Sequence, residues 1–124
     1  MKFSEDAGSK DRLITHYDRD YIAVNTRRYH HPIIVTSEHA PKQWDVTAFE
    51  ALTPSDLAPL IESEPEIILI GAGEQQQFLP LALMQQIMGK GIGCEVMTTA
   101  SACRTYNIIL GEGRRVAAGL LIAC

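Results

Sequence analysis

Apolar and polar positions in the first third of this chain alternate with a period of two, and beyond it they fall into apolar runs separated by helical stripes. From Arg12 to about Val46 the pattern is strand-like: LITHY at 13–17 and YIAVN at 21–25 are joined by Asp18-Arg19-Asp20. β-branched and aromatic side chains between short polar breaks fit a pleated, half-buried surface. Arg27 to Ser37, centred on PIIV, supplies a further strand region, and together the segments predict an antiparallel meander.

The pattern changes after Trp44. Thr53 precedes Pro54 in the N-cap then N1 arrangement, Asp56 falls at N3, and Leu57, Leu60 and Ile61 share a face, so a short helix is predicted to end before Pro65. EIILIG, at 66–71, is an unbroken apolar run of the kind found in a parallel strand buried on both faces. Pro80 opens a second helix with Leu81, Met84, Ile87 and Met88 as its buried stripe, ended by Gly89 and Gly91. GCEVM follows as a second parallel strand. Thr98 or Thr99 then caps a helix from about Ala100 to Glu112 that buries Ala102, Cys103, Tyr106, Ile109 and Leu110, and RRVAAGLLI closes as a strand.

A β-α-β-α-β second half behind a β meander predicts an α/β fold in three layers, β/β/α. Its central sheet is mostly parallel, with helices on one face and the N-terminal antiparallel meander on the other. Residues 1–11 are polar and lack either period, so they are expected to form a flexible N-terminal arm; residues 12–124 form a single domain.

Composition narrows the function classes. Of the 124 residues 46% are apolar and 21% charged, enough hydrophobic material for one core. A net charge of −4, with arginines in pairs rather than patches, argues against a nucleic-acid partner. No apolar run reaches the roughly 18 residues of a transmembrane segment, and the acidic start carries no signal-peptide core, so a cytoplasmic location is expected. Three cysteines without a CxxC are read as reduced thiols, with no disulfide framework and no metal site.

Ligands of open α/β sheets bind beyond the carboxyl ends of parallel strands, which directs attention to two loops. In GAGEQQQF, Gly71 and Gly73 allow close backbone approach to an anion or a neighbouring chain. Gln76 stands where a dinucleotide fingerprint needs glycine, and no P-loop lysine follows, so no cofactor is indicated. In MTTASACRTYN, Thr98, Thr99, Ser101 and Arg104 surround a helix N-terminus that favours anions, and Glu95 or Glu74 is the expected carboxylate partner if Arg104 is merely a surface cation. Cys103 sits beside Arg104, but its period places it on the apolar face. His30 and His31 are adjacent on a strand and point to opposite faces, and His16 and His39 have no partner at metal-binding spacing. No catalytic set can be assigned. Trp44 is expected to anchor the core or an edge under the meander.

WDVTAFEALTPSDL, EIILIGAG and GIGCEVMTTASACRTYNIILGEGRRVAAGLL together resemble a small family of unknown function, over about residues 12 to 122. Its mitochondrial member is the NADH dehydrogenase (respiratory complex I) assembly factor three, and this chain is similar to its small prokaryotic members. The resemblance implies the three-layer β/β/α fold and work through protein partners. That makes a non-enzymatic binding module assisting assembly of a larger, respiratory, complex the first expectation, with a homodimer left open. The alternative is a small-molecule or anion binder, or an enzyme, using the pocket of Gly71, Gly73, Glu95, Thr98, Thr99, Ser101 and Arg104. Two departures touch that pocket: Gly71-Ala72-Gly73 replaces a GTG common in the family, and Thr98 stands where the family usually has an aspartate, which removes a carboxylate that acid/base or metal chemistry would use.

Overall fold

Residues 12–122 are described in the computed structural model; residues 1–11, for which the sequence predicts an arm, and residues 123–124 lie outside them. Two sheets form. A three-stranded antiparallel sheet takes β1 (Ile14–Tyr17), β2 (Ile22–Val24) and β3 (Arg27–Tyr29) in chain order. A five-stranded sheet contains β4 (Ile33–Thr36), β5 (Lys42–Gln43), β6 (Ile67–Gly71), β7 (Gly93–Met97) and β8 (Val116–Leu120), ordered β5-β4-β8-β6-β7. The helices are α1 (Pro54–Glu62), α2 (Leu81–Met88) and α3 (Thr99–Gly111), and a 3-10 turn covers Phe49–Ala51.

The α/β class is as the sequence predicts, while the sheet is mixed: β6 pairs in parallel with β7 and β8, and β4 runs antiparallel to β8 and β5. The PIIV segment therefore belongs to the central sheet rather than to the meander. Its side chains explain why, since Ile33 and Val35 enter the core on one face and Ile34 enters the core on the other. A strand buried on both faces fits only an interior position.

The layering also differs from expectation. α1 and α2 pack on one face, with Ile34, Trp44, Ile68, Ile70 and Leu83, whereas α3 shares the opposite face with the small sheet, through Ile22, Val24, Leu69, Tyr106 and Leu120. Helices thus cover both faces. The cause is strand order: the chain steps outward from β6 to β7 and then back past β6 to β8, and two right-handed crossovers that step in opposite directions must place their helices on opposite faces. Asn107 fastens the small sheet beside α3, accepting from the Ile14 amide at 2.9 Å and donating to the Ile14 carbonyl at 2.7 Å.

Local signals mostly hold. Thr53 and Asp56 form a reciprocal capping box at α1, with Pro54 at N1, and Thr98 caps α3 by accepting from the Ser101 amide. α2 is rotated relative to the sequence reading. Leu83 and Ile87 are buried and Met84 is partly buried, while Leu81 and Met88 face outward. LALMQQIM is apolar on more than one side, so periodicity leaves its phase undetermined, and Leu79 before the helix fixes the buried row at 79, 83 and 87. Trp44 is buried on the face opposite the small sheet rather than beneath it, its indole Nε1 donating to the Asp56 carbonyl at 2.9 Å.

Candidate functional site

β6 and β8 end side by side, and the start of α3 is laid directly over their carboxyl ends. Gly71 makes this approach feasible, because a methyl carbon in its place would lie 2.9 Å from Thr99 Cα and 2.9 Å from Thr99 Oγ1. Thr99, fully buried, ties three strands' ends together. Its hydroxyl donates to the Leu121 carbonyl at 2.7 Å and accepts from the Gly73 amide at 2.9 Å, and its own amide donates to the Gly73 carbonyl at 2.9 Å. Gly73 has φ +98, a conformation that disfavours side chains, and the Ala72 amide donates to the Met97 carbonyl at 2.8 Å. These bonds close the seam between the loop after β6 and α3.

The remaining expected residues lie around that seam but do not line one cavity. Thr98 spends its hydroxyl oxygen on the Ser101 amide at 3.3 Å. Arg104 is exposed one turn further on, its Nη2 donating to Ser101 Oγ at 3.2 Å. Neither expected carboxylate pairs with it among the described residues: Glu74 binds Arg19 at 2.8 Å, and Glu95 is exposed on β7. A groove of about 320 Å³ does open at the carboxyl ends of β6 and β8, bounded by Thr47, Phe49, Glu50, Gln75, Gln77 and Leu121, and of the seven expected residues only Gly73 reaches it. A larger groove, about 750 Å³, lies at the amino ends of the parallel strands between Glu62, Glu66, Lys90 and Arg115, where Glu66 already holds Arg114 at 3.2 Å and Arg115 at 4.0 Å.

Both described cysteines are poor nucleophiles. Burial pushes the Cys103 thiol up to about 12, against a smaller opposing pull from Arg104, and burial raises Cys94 to about 11 with help from Glu95. Tyr106 is fully buried, its pKa likewise raised by burial, and its hydroxyl donates to the Thr36 carbonyl at 3.1 Å. Among the described residues no three His, Cys, Asp or Glu side chains gather as a metal site would require.

Two surface features escaped the sequence. Phe78 and Leu81 project from the loop after β6 and the start of α2, 86% and 71% exposed. On the small sheet, Tyr21 is bracketed by His16, stacked at 5.7 Å, by His30 at 5.8 Å, and by the Arg28 guanidinium at 4.4 Å. The signal for the second feature is a one-residue offset between facing strands, which a single strand read alone does not reveal. His30 and His31 do diverge as expected, His30 toward Tyr21 and His31 toward Tyr29.

Known proteins share this fold and much of this sequence. A crystal structure of a Bordetella parapertussis protein superposes with a TM-score of 0.85 at 36% identity, covering 89% of this chain and 94% of that one. The "13 kDa major membrane protein" of Francisella tularensis subsp. holarctica is 33% identical over 101 residues, 81% of this chain and 82% of its own length. The human "NADH dehydrogenase [ubiquinone] 1 alpha subcomplex assembly factor 3" is 32% identical over 85 residues, 67% of this chain but only 46% of its own length. No helix among the described residues is long and apolar enough to cross a membrane. With residues 14–121 matched by its profile, this chain belongs to the family described as "Protein of unknown function (DUF498/DUF598)".

Proposed function

We propose that this chain is a non-enzymatic protein-binding module that helps assemble a larger complex, respiratory in kind, and that it works in the cytoplasm. The observation that carries the reading is the outward apolar face of α2. Leu81 and Met88, 57% exposed, lie two helical turns apart on one side of α2, and Phe78 is exposed in the loop just before it. Exposed hydrophobics scattered singly need no explanation, but two on the outer side of one helix with a third in the loop that leads into it favour a partner. The name of the human relative supports assembly as the purpose of such a contact.

A photo-cross-linking amino acid at position 78, expressed in the native host with position 112 as control, tests this. A discrete adduct from 78 alone, co-migrating with a multisubunit complex on native gels, is expected. No adduct, or equal adducts from both positions, overturns the proposal.

One observation favours a second reading. Arg104 has no carboxylate partner among the described residues and leans on Ser101 beside the capped start of α3, an arrangement able to receive a small anion.

A further inference from the structure

The two sheets present four edge strands among the described residues, and three of them are blunted. β5 is two residues long, carries Lys42 and follows Pro41. β3 is three residues long and carries Arg27 and Arg28. β1 has an irregular register between Ile14 and His16, and Asn107 occupies both the amide and the carbonyl of Ile14. Short length, cations, proline and irregularity are the means by which sheets resist the addition of a further strand. β7 has none of them. Its five residues pair with β6 in unbroken register from Gly93 to Met97, its one charge is Glu95, and no strand lies beyond it among the described residues.

The register fixes which groups this edge offers. The Gly93 amide donates to the Glu66 carbonyl at 3.0 Å, and the Met97 carbonyl accepts from the Ala72 amide at 2.8 Å, so both residues turn toward β6. Backbone groups alternate in direction along a strand of a parallel ladder, so Glu95 turns the same way while Cys94 and Val96 turn outward. Gln76 bears this out: its side-chain amide donates to the Val96 carbonyl at 3.0 Å, where the N–H of an added strand would sit. Gln76 is exposed, so its amide is free to give way. Side chains alternate as well. Cys94 and Val96 are partly buried against the core on the α1 and α2 side, and Glu95 is exposed on the opposite, α3, side.

We infer that β7 docks an extended segment of the protein that the chain binds, as a sixth, antiparallel strand of the large sheet. The segment places a lysine or arginine opposite Glu95 and apolar residues on either side of that cation. The inference rests on the protein-binding reading above and adds the partner's conformation and chemistry. Antiparallel pairing exchanges two hydrogen bonds at Cys94 and two at Val96, and sets Glu95 directly against one partner residue. The flanking residues then lie beside the partly buried Cys94 and Val96, where apolar neighbours stabilise the pairing.

Charge selects the occupant. In a two-fold pair of β7 strands that uses the same backbone groups, Cys94 of each copy faces Val96 of the other, so Glu95 faces its own counterpart with the β carbons about 4.5–5.5 Å apart. Like charges directly opposite each other are destabilising. A cation on a different protein turns that repulsion into attraction, and Glu95 has no ion pair among the described residues.

Amide NMR titration with a nine-residue peptide tests the edge, with valine at the even positions, threonine at the odd ones and lysine in the middle. The other arms are the same peptide methylated on the nitrogens of the two central valines, and a peptide with glutamate in the middle. The lysine peptide is expected to shift the amides of residues 93–97 saturably. Methylation removes two donors and should lower affinity by about tenfold or more. Glu95→Lys, shown by melting curves to remain folded, should reverse the preference between the lysine and glutamate peptides, by about twofold or more each way. Equal affinity of the methylated peptide, an unchanged preference in Glu95→Lys, or no saturable shift on β7 each overturns the inference. So does a wild-type dimer in sedimentation that protects the Cys94 and Val96 amides from hydrogen exchange, which gives the edge to a second copy. Cross-linking from position 78 keeps the two proposals separate. An adduct that forms normally in a chain failing the peptide test sinks the docking edge alone, and absence of that adduct in wild type sinks the protein-binding reading itself.

Discussion

The Trp44 indole occupies the space that a side chain at position 119 would need: a methyl carbon on Gly119 would lie 2.6 Å from Cζ3 and 2.7 Å from Cη2 of the ring. The ring cannot easily yield, because its Nε1 is bound to the Asp56 carbonyl at the α1 N-terminus. Gly119→Ala is therefore expected to destabilise by about 1–3 kcal/mol, as overpacking in a filled core does. Denaturant melts monitored by Trp44 fluorescence measure it. A loss below about 0.5 kcal/mol would mean that the ring has room to tilt.

Thr99 joins the loop after β6, the start of α3 and the end of β8 through one buried hydroxyl. Thr99→Val keeps the volume but leaves the Gly73 amide and the Leu121 carbonyl without that partner, at about 1–3 kcal/mol for each buried group. Thr99→Ser should restore most of the loss. If valine and serine prove equally tolerated, water replaces the hydroxyl and the seam is looser than these distances imply.

How much of this was legible in the sequence depends on whether the information is local. The Thr53–Asp56 box and the buried face of α3 follow from spacing within single segments and stand as read, and of the two threonines that spacing offers as the α3 cap the structure takes Thr98. Which face each helix covers follows from strand order, a non-local property that no single segment carries. Periodicity places Leu81 and Met88 in the core because an exposed apolar residue looks identical in sequence to a buried one. The Tyr21, His16, His30 and Arg28 group depends on the pairing of β1, β2 and β3, including the irregularity between Ile14 and His16.

Alkaline pH should unfold the chain through its buried acids. Folding raises Cys103 from 9.0 to about 12, and raises Cys94 to about 11, in each case chiefly by burial, with Tyr106 displaced in the same direction. For groups whose folded pKa is raised, the stability is fully present below the unfolded value and is lost as pH climbs through the window above it, here from about 9 to 12. Cys103→Ala should thus lose stability less steeply than wild type between pH 9 and 11, whatever its cost at pH 7. Parallel curves would place the alkaline transition elsewhere.

Tyr106 carries the same argument at neutral pH. Tyr106→Ala truncates a fully buried ring and should cost about 3–5 kcal/mol, whereas Tyr106→Phe removes only the donor to the Thr36 carbonyl and should cost about 1–2 kcal/mol. A loss under 1 kcal/mol for the alanine variant would contradict the packing of α3 on the sheet.

The start of α3 allows a decisive test of the anion reading. A helix N-terminus carries partial positive charge and Arg104 adds a full one, with no carboxylate to neutralise it among the described residues. Against this, two first-turn amides are already spent: Thr99 donates to the Gly73 carbonyl and Ser101 to Thr98 Oγ1. An anion would therefore rely on the guanidinium and Ser101 rather than on a full ring of amides. If the site binds, phosphate, sulfate or a carboxylate metabolite should shift the amide resonances of residues 99–103 saturably, less at high salt, and Arg104→Ala should abolish the response. Because Arg104 is exposed, with Ser101 as its partner and no carboxylate beside it among the described residues, that substitution should leave stability within about 0.5 kcal/mol of wild type, so loss of the response could not be ascribed to unfolding. Shifts that grow linearly with anion concentration, in wild type and variant alike, would reduce the effect to ionic strength and leave protein contact as the one reading still standing.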